Sequence, residues 1–300
     1  MKKWMRRIVP GALIGLSLAA GVVAGPVVLM PGPVDLEAGE SRRQLWLLPS
    51  QDPAVPMQTT VFRPPGEGPF PLVLMNHGTT GNAVQRLYFP LLEFNDAALW
   101  FAQHGFAVVA PQRPGHGDTG GPFFEDIGPC EDADFVGSGL AVAAADQAAL
   151  SYMTAQPFIE SDGIVVFGQS AGGFGAMALA SLNPPGVRAI INFAGVRGGH
   201  AEGKPFNNCL PDRLVETIRG FGRTARVPML WIYTQNDTFS GPALSKRMFD
   251  AFREGGGQAE YHLLPAFDDD GHYFVDSPKA IPIWAPIVTK FLAAHPAKTQ

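Results

Sequence analysis

The pentapeptide Gly168-Gln169-Ser170-Ala171-Gly172 constrains this chain more than any other stretch. It follows an apolar run at 164–167, rich in β-branched residues, that predicts a strand, and it precedes a run of small residues that predicts a helix. A G-x-S-x-G pattern between a strand and a helix is typical of a strained turn that exposes a nucleophilic serine. The glycines suit such a turn because a Cβ there would collide with neighbouring backbone. The alternative is a glycine-rich turn with an incidental serine.

A nucleophilic serine needs a histidine base and an acid to orient it, and both should come later in the chain. The run at 227–233 predicts a buried strand, and Asp237 follows it. The alternating run at 259–264 predicts another strand, and the polar loop after it carries His272. The carboxyl ends of parallel strands lie at one edge of a sheet. We therefore predict Ser170, Asp237 and His272 as the catalytic residues.

Other histidines and acids compete for these roles. His262 falls inside a strand pattern, His104 ends a helix-like stretch and His295 lies in the tail, so we interpret all three as structural. The acids at 268–270 lie too close in sequence to His272 to orient it. We expect them to hold the histidine turn instead.

The oxyanion hole can also be predicted from the sequence. An apolar strand at 71–75 runs into the glycine-rich loop at 76–81, where a backbone N–H can turn toward a developing negative charge. We predict Thr79 and Ala171 as the two donors, with Thr80 as an alternative to Thr79. His77 is expected to shape this loop by hydrogen bonding, with direct catalysis as the less favoured reading.

These motifs together resemble the α/β-hydrolase superfamily and, within it, serine esterases similar to dienelactone hydrolase. The resemblance covers residues 43–294 and rests on the motifs at 76–79, 113–117, 168–172, 236–237 and 271–272. It implies a mostly parallel, eight-stranded sheet with helices on both faces and small lid loops. Dienelactone hydrolase itself uses a cysteine nucleophile where this chain has Ser170, so the resemblance implies ordinary ester hydrolysis.

Alternating strand and helix patterns favour the same α/β architecture. No helix separates the first two strands, which predicts an antiparallel hairpin at that edge. The excursions at 118–134 and 195–211 should wall the pocket, with Arg197, His200 or Lys204 able to meet an anionic substrate group. Strands are predicted near 44–48, 57–62, 72–75, 106–111, 163–167, 187–193, 229–233 and 259–264, and helices near 91–104, 133–156, 171–182, 213–223, 243–254 and 283–294.

The N-terminal sequence indicates a targeting segment. Four basic residues within positions 2–7 precede an uncharged stretch that lasts until Asp35. Residues 1–24 are therefore predicted to be a signal peptide or, alternatively, a membrane anchor, and either would place the catalytic domain outside the cytoplasm. Residues 25–42 follow as a linker and 43–296 as the catalytic domain. Periplasmic or secreted location follows, with any membrane contact made through the N-terminal segment.

Cys130 and Cys209 are the only cysteines, and an even pair suits an oxidising compartment. Each lies in one of the two excursions that should leave the catalytic edge of the sheet. A disulfide would join these loops, and two separate buried thiols are the alternative.

Composition narrows the partners. The net charge is −5 and no basic cluster follows the first seven residues, so nucleic acid is not expected as a partner. A small-molecule ester is the predicted substrate, and no cofactor or metal is needed because no metal-ligand motif is present. The same residues would serve a peptidase or amidase of this fold, and a non-catalytic binding protein is a further alternative. Oligomeric state and acyl-chain length are left open.

Overall fold

The computed structural model describes residues 30–297, which form a sheet flanked by helices and joined by short 3-10 helices and loops. The strands are β1 Gly32–Pro33, β2 Gln44–Leu48, β3 Met57–Phe62, β4 Leu72–Asn76, β5 Ala107–Pro111, β6 Ile164–Gln169, β7 Val187–Phe193, β8 Met229–Thr234 and β9 Ala259–Leu264. The helices are α1 Ala83–Leu87, α2 Asn95–Gln103, α3 Phe135–Met153, α4 Ala171–Leu182, α5 Pro211–Thr224, α6 Gly241–Gly255 and α7 Ile281–Ala294.

The strands lie in the order β1-β2-β3-β5-β4-β6-β7-β8-β9. Pairing is antiparallel from β1 to β5 and parallel from β5 to β9. The antiparallel edge is where the sequence shows no helix between consecutive strands, and the parallel part is where strands and helices alternate. The predicted α/β-hydrolase architecture, a mostly parallel sheet with helices on both faces, is confirmed.

The described structure has two elements that the sequence did not indicate. The two-residue strand β1 pairs with Trp46 and Leu47 of β2, which makes nine strands where eight were predicted. Its Gly-Pro sequence falls in the segment predicted as a linker. Two residues are too few to show the alternation of apolar and polar residues that indicates a strand. Helix α1 has no buried residue, so it carries no apolar stripe to detect. The predicted signal peptide or anchor, residues 1–24, lies outside the described residues.

Burial on both faces of the central strands fixes the layers. Strands β4, β5 and β6 are buried at every residue, as continuous apolar runs of parallel strands should be. One core packs beneath α3, α4, α5 and α6 around Trp231, and the other packs beneath α2 and α7 around Trp284. Within residues 30–297, no helix combines the length and apolar character required to cross a membrane.

A disulfide joins Cys130 to Cys209 across a sequence separation of 79 residues. Cys130 belongs to the excursion after β5, and Cys209 belongs to the excursion after β7. Closing a loop of this length should stabilise the fold by roughly 4 kcal/mol through the unfolded chain. The bond holds together the two loops that the sequence predicted as pocket walls.

Candidate active site

The turn between β6 and α4 presents Ser170 in a strained conformation. Ser170 has a φ of 52° and a ψ of −120°, in the positive-φ region that non-glycine residues rarely adopt. Neighbouring backbone leaves no room for side chains beside it. A Cβ at Gly168 would lie 2.4 Å from the Gly172 oxygen, and one at Gly172 would lie 2.0 Å from the Asn76 oxygen. The spacing of the motif is thus a packing requirement of this turn.

The structure brings Ser170, His272 and Asp237 together in one line of hydrogen bonds. Ser170 Oγ lies 2.9 Å from His272 Nε2, and His272 Nδ1 lies 3.1 Å from Asp237 Oδ1. His272 and Asp237 are both buried. The Asp237 carboxylate can only accept a hydrogen bond, so Nδ1 of His272 must carry the proton. Nε2 is then free to accept from the serine hydroxyl.

The Asp237 carboxylate is held ionised by its neighbours. Burial alone would raise its pKa, but the adjacent His272 and the hydrogen bonds from Ser240 hold the pKa below its ordinary value. Oδ1 accepts from the N–H groups of Phe239 (2.8 Å) and Ser240 (3.0 Å), and Oδ2 accepts from the Ser240 hydroxyl (2.7 Å). These donors fix the carboxylate facing the imidazole.

Three further residues support His272. Asp270 Oδ1 accepts the His272 N–H at 2.9 Å, as expected for an acid that holds the histidine turn. Gln169 Nε2 donates to the His272 carbonyl at 2.9 Å. The Phe239 ring stacks on the imidazole at a centroid distance of 4.1 Å, and His200 stacks on Phe239 in turn at 3.6 Å.

The structure brings both predicted oxyanion residues to the cavity beside Ser170. Ala171 is the first residue of α4, so its N–H has no acceptor within the helix. Thr79 lies in the loop after β4, and both residues line the same cavity as Ser170. The Thr79 hydroxyl is 2.6 Å from His116 Nε2, while His116 Nδ1 faces the Arg113 and Pro114 carbonyls. The hydroxyl therefore donates to His116.

Ser170 opens on a cavity of about 740 Å³. Its walls come from the loops after β4, β5 and β7 and from the segments that carry Asp237 and His272. Polar, aromatic and charged side chains share the lining, so the cavity suits a substrate of mixed character. The side chains include Thr79, Thr80, Gln85, Phe123, Asp126, Ile127, Val196, Arg197, His200, Phe239 and Tyr273.

A buried cluster of charged and polar groups lies beneath the loop after β4. Arg113 is 1% exposed and pairs with Glu125 through two contacts, Nε to Oε1 at 2.8 Å and Nη2 to Oε2 at 3.2 Å. Arg197 also contacts Glu125. Although burial opposes the charge, these two guanidinium groups lower the pKa of Glu125. Burial lowers the pKa of His116 to about 4, so its ring is neutral near pH 7.

Asp146 in α3 completes this cluster with an incompletely paired carboxyl group. Its Oδ2 accepts from Asn76 Nδ2 at 2.6 Å, whereas Oδ1 has no hydrogen-bond partner among the described residues. Burial raises the pKa of Asp146 from 3.8 to about 7, against the opposing effect of Arg113.

We expect Asp146→Asn to stabilise the protein more at pH 8 than at pH 5. A carboxyl group whose pKa is raised by folding costs stability progressively as pH rises from about 4 to about 7, because the unfolded state ionises first. Asparagine does not titrate, so the gain should grow by about 2–3 kcal/mol between the two pH values. Urea unfolding at each pH measures it, with the exposed Asp118→Asn as the control. An equal gain at both pH values would contradict the raised pKa.

The other sequence candidates lie elsewhere or play supporting parts. His104 stacks on Trp100, His262 lies on the edge strand β9, and His295 follows α7. His77 is buried and bonds the Arg113 N–H through Nε2 at 2.9 Å, which agrees with its predicted role in shaping the loop. Lys204, which the sequence offered as a partner for an anionic substrate group, is exposed and pairs with Glu202.

Glu93 and Phe239 are among the residues around the site that sequence reasoning missed. Glu93 accepts the Gly78 N–H at 3.0 Å, and burial raises the pKa of its carboxyl group. It precedes α2 in a segment without a motif, so no signal points to it. Phe239 lies two residues after Asp237, and its position there could have indicated a packing role beside the histidine.

Fold and site define the class of protein: this chain is a serine hydrolase of the α/β-hydrolase superfamily. Its family follows from the sequence match. The model of the X-Pro dipeptidyl-peptidase (S15) family matches residues 54–213, more than half of the chain, and the chain belongs to that family.

Solved structures show the same fold at low sequence identity. A protein from Klebsiella pneumoniae subsp. pneumoniae that carries the name dienelactone hydrolase has a TM-score of 0.59 and 17% identity, and the match covers 84% of this chain and 98% of that one. Acetyl xylan esterase from Paenibacillus sp. R4 has a TM-score of 0.59 and 17% identity, and the match covers 89% of this chain and 88% of that one. Dipeptidyl peptidase 4 of Porphyromonas gingivalis has a TM-score of 0.62 and 14% identity, and the match covers 86% of this chain and 36% of that one.

Proposed function

We propose that this protein hydrolyses carboxylic esters through an acyl-enzyme formed on Ser170. The observation that carries the proposal is the continuous line from Ser170 Oγ to His272 at 2.9 Å and on to Asp237 at 3.1 Å. Nucleophile, base and orienting acid lie within hydrogen-bond reach of each other, which is the geometric requirement for nucleophilic acyl transfer.

In the first half of the reaction, Ser170 Oγ attacks the ester carbonyl as its proton passes to His272 Nε2. The N–H groups of Thr79 and Ala171 stabilise the oxyanion that develops. His272 then gives the proton to the leaving alcohol, and the acyl group remains on Ser170. In the second half, His272 takes a proton from water, which attacks the acyl-enzyme and releases the acid. Asp237 keeps Nδ1 protonated and stabilises the imidazolium throughout.

Ester substrates are favoured by the walls of the cavity. These walls are loops of a domain built on a single sheet. Residues 30–297 contain no second large domain that would enclose a peptide chain. The lining is open to polar and aromatic substrate groups alike.

A second candidate is peptidase activity, because the matching family is described as X-Pro dipeptidyl-peptidase. Such an activity would need an acid to meet the free amine of a dipeptide. Asp126 is the one carboxylate among the described residues that line the cavity, and it is exposed. The same Ser170, His272 and Asp237 would cleave the peptide bond.

We further propose that the enzyme works outside the cytoplasm. The disulfide between Cys130 and Cys209 is of a kind that persists in oxidising compartments. The predicted targeting segment at residues 1–24 would deliver the chain there.

The two candidate activities can be separated with the full chain purified with its disulfide intact. We expect hydrolysis of p-nitrophenyl and simple ethyl esters, with the chain-length profile reporting the size of the cavity. Gly-Pro-p-nitroanilide and its N-acetylated form test the peptidase alternative, since only a dipeptidyl-peptidase requires the free amine. Efficient cleavage of the free form, with neither the acetylated form nor the ethyl esters hydrolysed, would replace the esterase proposal.

A further inference from the structure

On the basis of the function proposed above, we propose that Arg113 is a positioning residue: it orients the Gly78–Thr79 peptide so that the Thr79 N–H points into the oxyanion hole. Arg113 lies in the loop after β5 and does not line the cavity that Ser170 opens on. It therefore acts through the backbone of another loop rather than on substrate.

The orientation follows from peptide geometry. The carbonyl of Gly78 and the N–H of Thr79 belong to one peptide unit, which is trans because the cis bond of the described chain is Gly68–Pro69. In a planar trans peptide, the C=O and N–H point in opposite directions. Whatever holds the Gly78 oxygen on one side therefore directs the Thr79 N–H to the other side.

Two groups hold the Gly78 oxygen inside the protein. Arg113 Nη2 donates to it at 3.3 Å, and His77 Nδ1 donates at 2.6 Å while its Nε2 accepts from the Arg113 N–H. Among the described residues, no acceptor pairs with the Thr79 N–H itself. This donor is thus left unpaired at a loop that lines the cavity.

The preceding peptide is fixed in the same manner at both ends. Arg113 Nη1 donates to the His77 carbonyl at 2.8 Å, and the Gly78 N–H donates to Glu93 Oε2 at 3.0 Å. One guanidinium therefore spans two successive carbonyl oxygens. A planar fork with five donors can do this while it also pairs with Glu125, whereas a lysine ammonium is a single point of charge.

The pairing with Glu125 makes the fork rigid. Glu125 receives two hydrogen bonds from Arg113, and Asn76 Oδ1 accepts a further one from Nη1. With 1% exposure, Arg113 is shielded from bulk solvent, so its guanidinium keeps these protein partners. The donor geometry is consequently set before substrate arrives, which is what electrostatic stabilisation of a transition state requires.

The test compares Arg113→Lys with Arg188→Lys. Arg188 offers a matched control because its guanidinium also holds carbonyl oxygens, those of Gly163, Leu292 and His295, but near the start of β7, at the opposite end of the strands from Ser170. We expect Arg113→Lys to lower kcat about 10- to 100-fold with KM changed by less than about threefold. Arg188→Lys should leave both constants near wild type.

An affinity measurement separates orientation from general loss of structure. A trifluoromethyl ketone, which forms an oxyanion on Ser170, should bind Arg113→Lys about 10- to 100-fold more weakly, in step with kcat. The product alcohol, which presents no negative charge to these N–H groups, should bind equally well to both proteins. If kcat and ketone affinity stay at wild-type values, or if product binding weakens as much as ketone binding, the proposal is overturned.

Two additions keep the test decisive. Should Arg113→Lys fail to fold, Glu125→Gln tests the same fork, because it keeps one acceptor oxygen for Arg113 and replaces the other with an amide group. Both kcat and ketone affinity should then fall, and unchanged values of both would overturn the proposal. A fluorophosphonate that fails to label Ser170 in the wild type would instead refute acyl transfer itself, so the two failures are distinguishable.

Discussion

Ser170→Ala is expected to lower kcat/KM for ester hydrolysis by about 10⁵–10⁶-fold. The substitution removes the oxygen that lies 2.9 Å from His272 Nε2 and leaves the base without a proton to take. Backbone donors at Thr79 and Ala171 would persist, so a residual rate above that of water is expected. Initial rates on the best p-nitrophenyl ester, together with fluorophosphonate labelling, measure the effect.

Ser181→Ala supplies a matched control for this substitution. Ser181 lies near the other end of the same helix, α4, where its hydroxyl bonds the Ala178 carbonyl. It should retain wild-type kinetics, and both variants should unfold at temperatures close to that of the wild type. Ester hydrolysis that survives in Ser170→Ala at more than about a hundredth of the wild-type rate would exclude Ser170 as the nucleophile.

Most of the architecture was predictable because periodicity and chain order encode it. The eight predicted strands all occur, since each is an apolar or alternating run. The short elements were not predictable. Strand β1 is held by two backbone pairings, and α1 has no buried face. Neither element therefore needs a pattern of apolar side chains that the sequence could reveal.

The proximity of Ser170, Asp237 and His272 was predictable for a similar reason. Parallel strands deliver their carboxyl ends to one edge, so residues that follow three strands must meet there. The surroundings were less accessible to sequence reasoning. Glu93 and Glu125 owe their roles to tertiary contacts with Gly78 and Arg113, and no local pattern records which carbonyl or guanidinium a distant acid will meet.

The disulfide illustrates an intermediate case. Two cysteines permit a single pairing, and both were predicted to lie in loops at the catalytic edge of the sheet. The bond between Cys130 and Cys209 agrees with that placement. The sequence could not exclude two separate thiols, because the distance between the loops depends on how they fold over the pocket.

Asp237→Asn is expected to cost only about 10²-fold in kcat/KM, whereas Asp237→Ala should cost about 10⁴-fold. An asparagine whose NH₂ group faces the histidine imposes the wrong tautomer, which typically lowers kcat about 10⁴-fold. Here the surroundings select the other orientation. Oδ1 accepts two backbone N–H groups, from Phe239 and Ser240, in addition to His272 Nδ1–H.

Those fixed donors require an acceptor at the Oδ1 position, so the carboxamide oxygen of the Asp237→Asn variant should take it. The amide nitrogen then falls at the Oδ2 position, where the Ser240 hydroxyl can rotate from donor to acceptor. His272 keeps its proton on Nδ1, and the loss is confined to the charge that stabilises the imidazolium. Alanine removes both charge and acceptor and leaves buried donors unpaired.

Steady-state kinetics on both variants, with ¹⁵N chemical shifts of the His272 ring to report the tautomer, test this prediction. An Asp237→Asn variant with the Nδ1–H tautomer and activity well above that of Asp237→Ala would support the orientation inferred from the backbone donors. Equal losses in the two variants, or an Nε2–H ring in the asparagine variant, would show that these N–H groups do not control the side chain. The carboxylate would then set both the charge and the tautomer of the base.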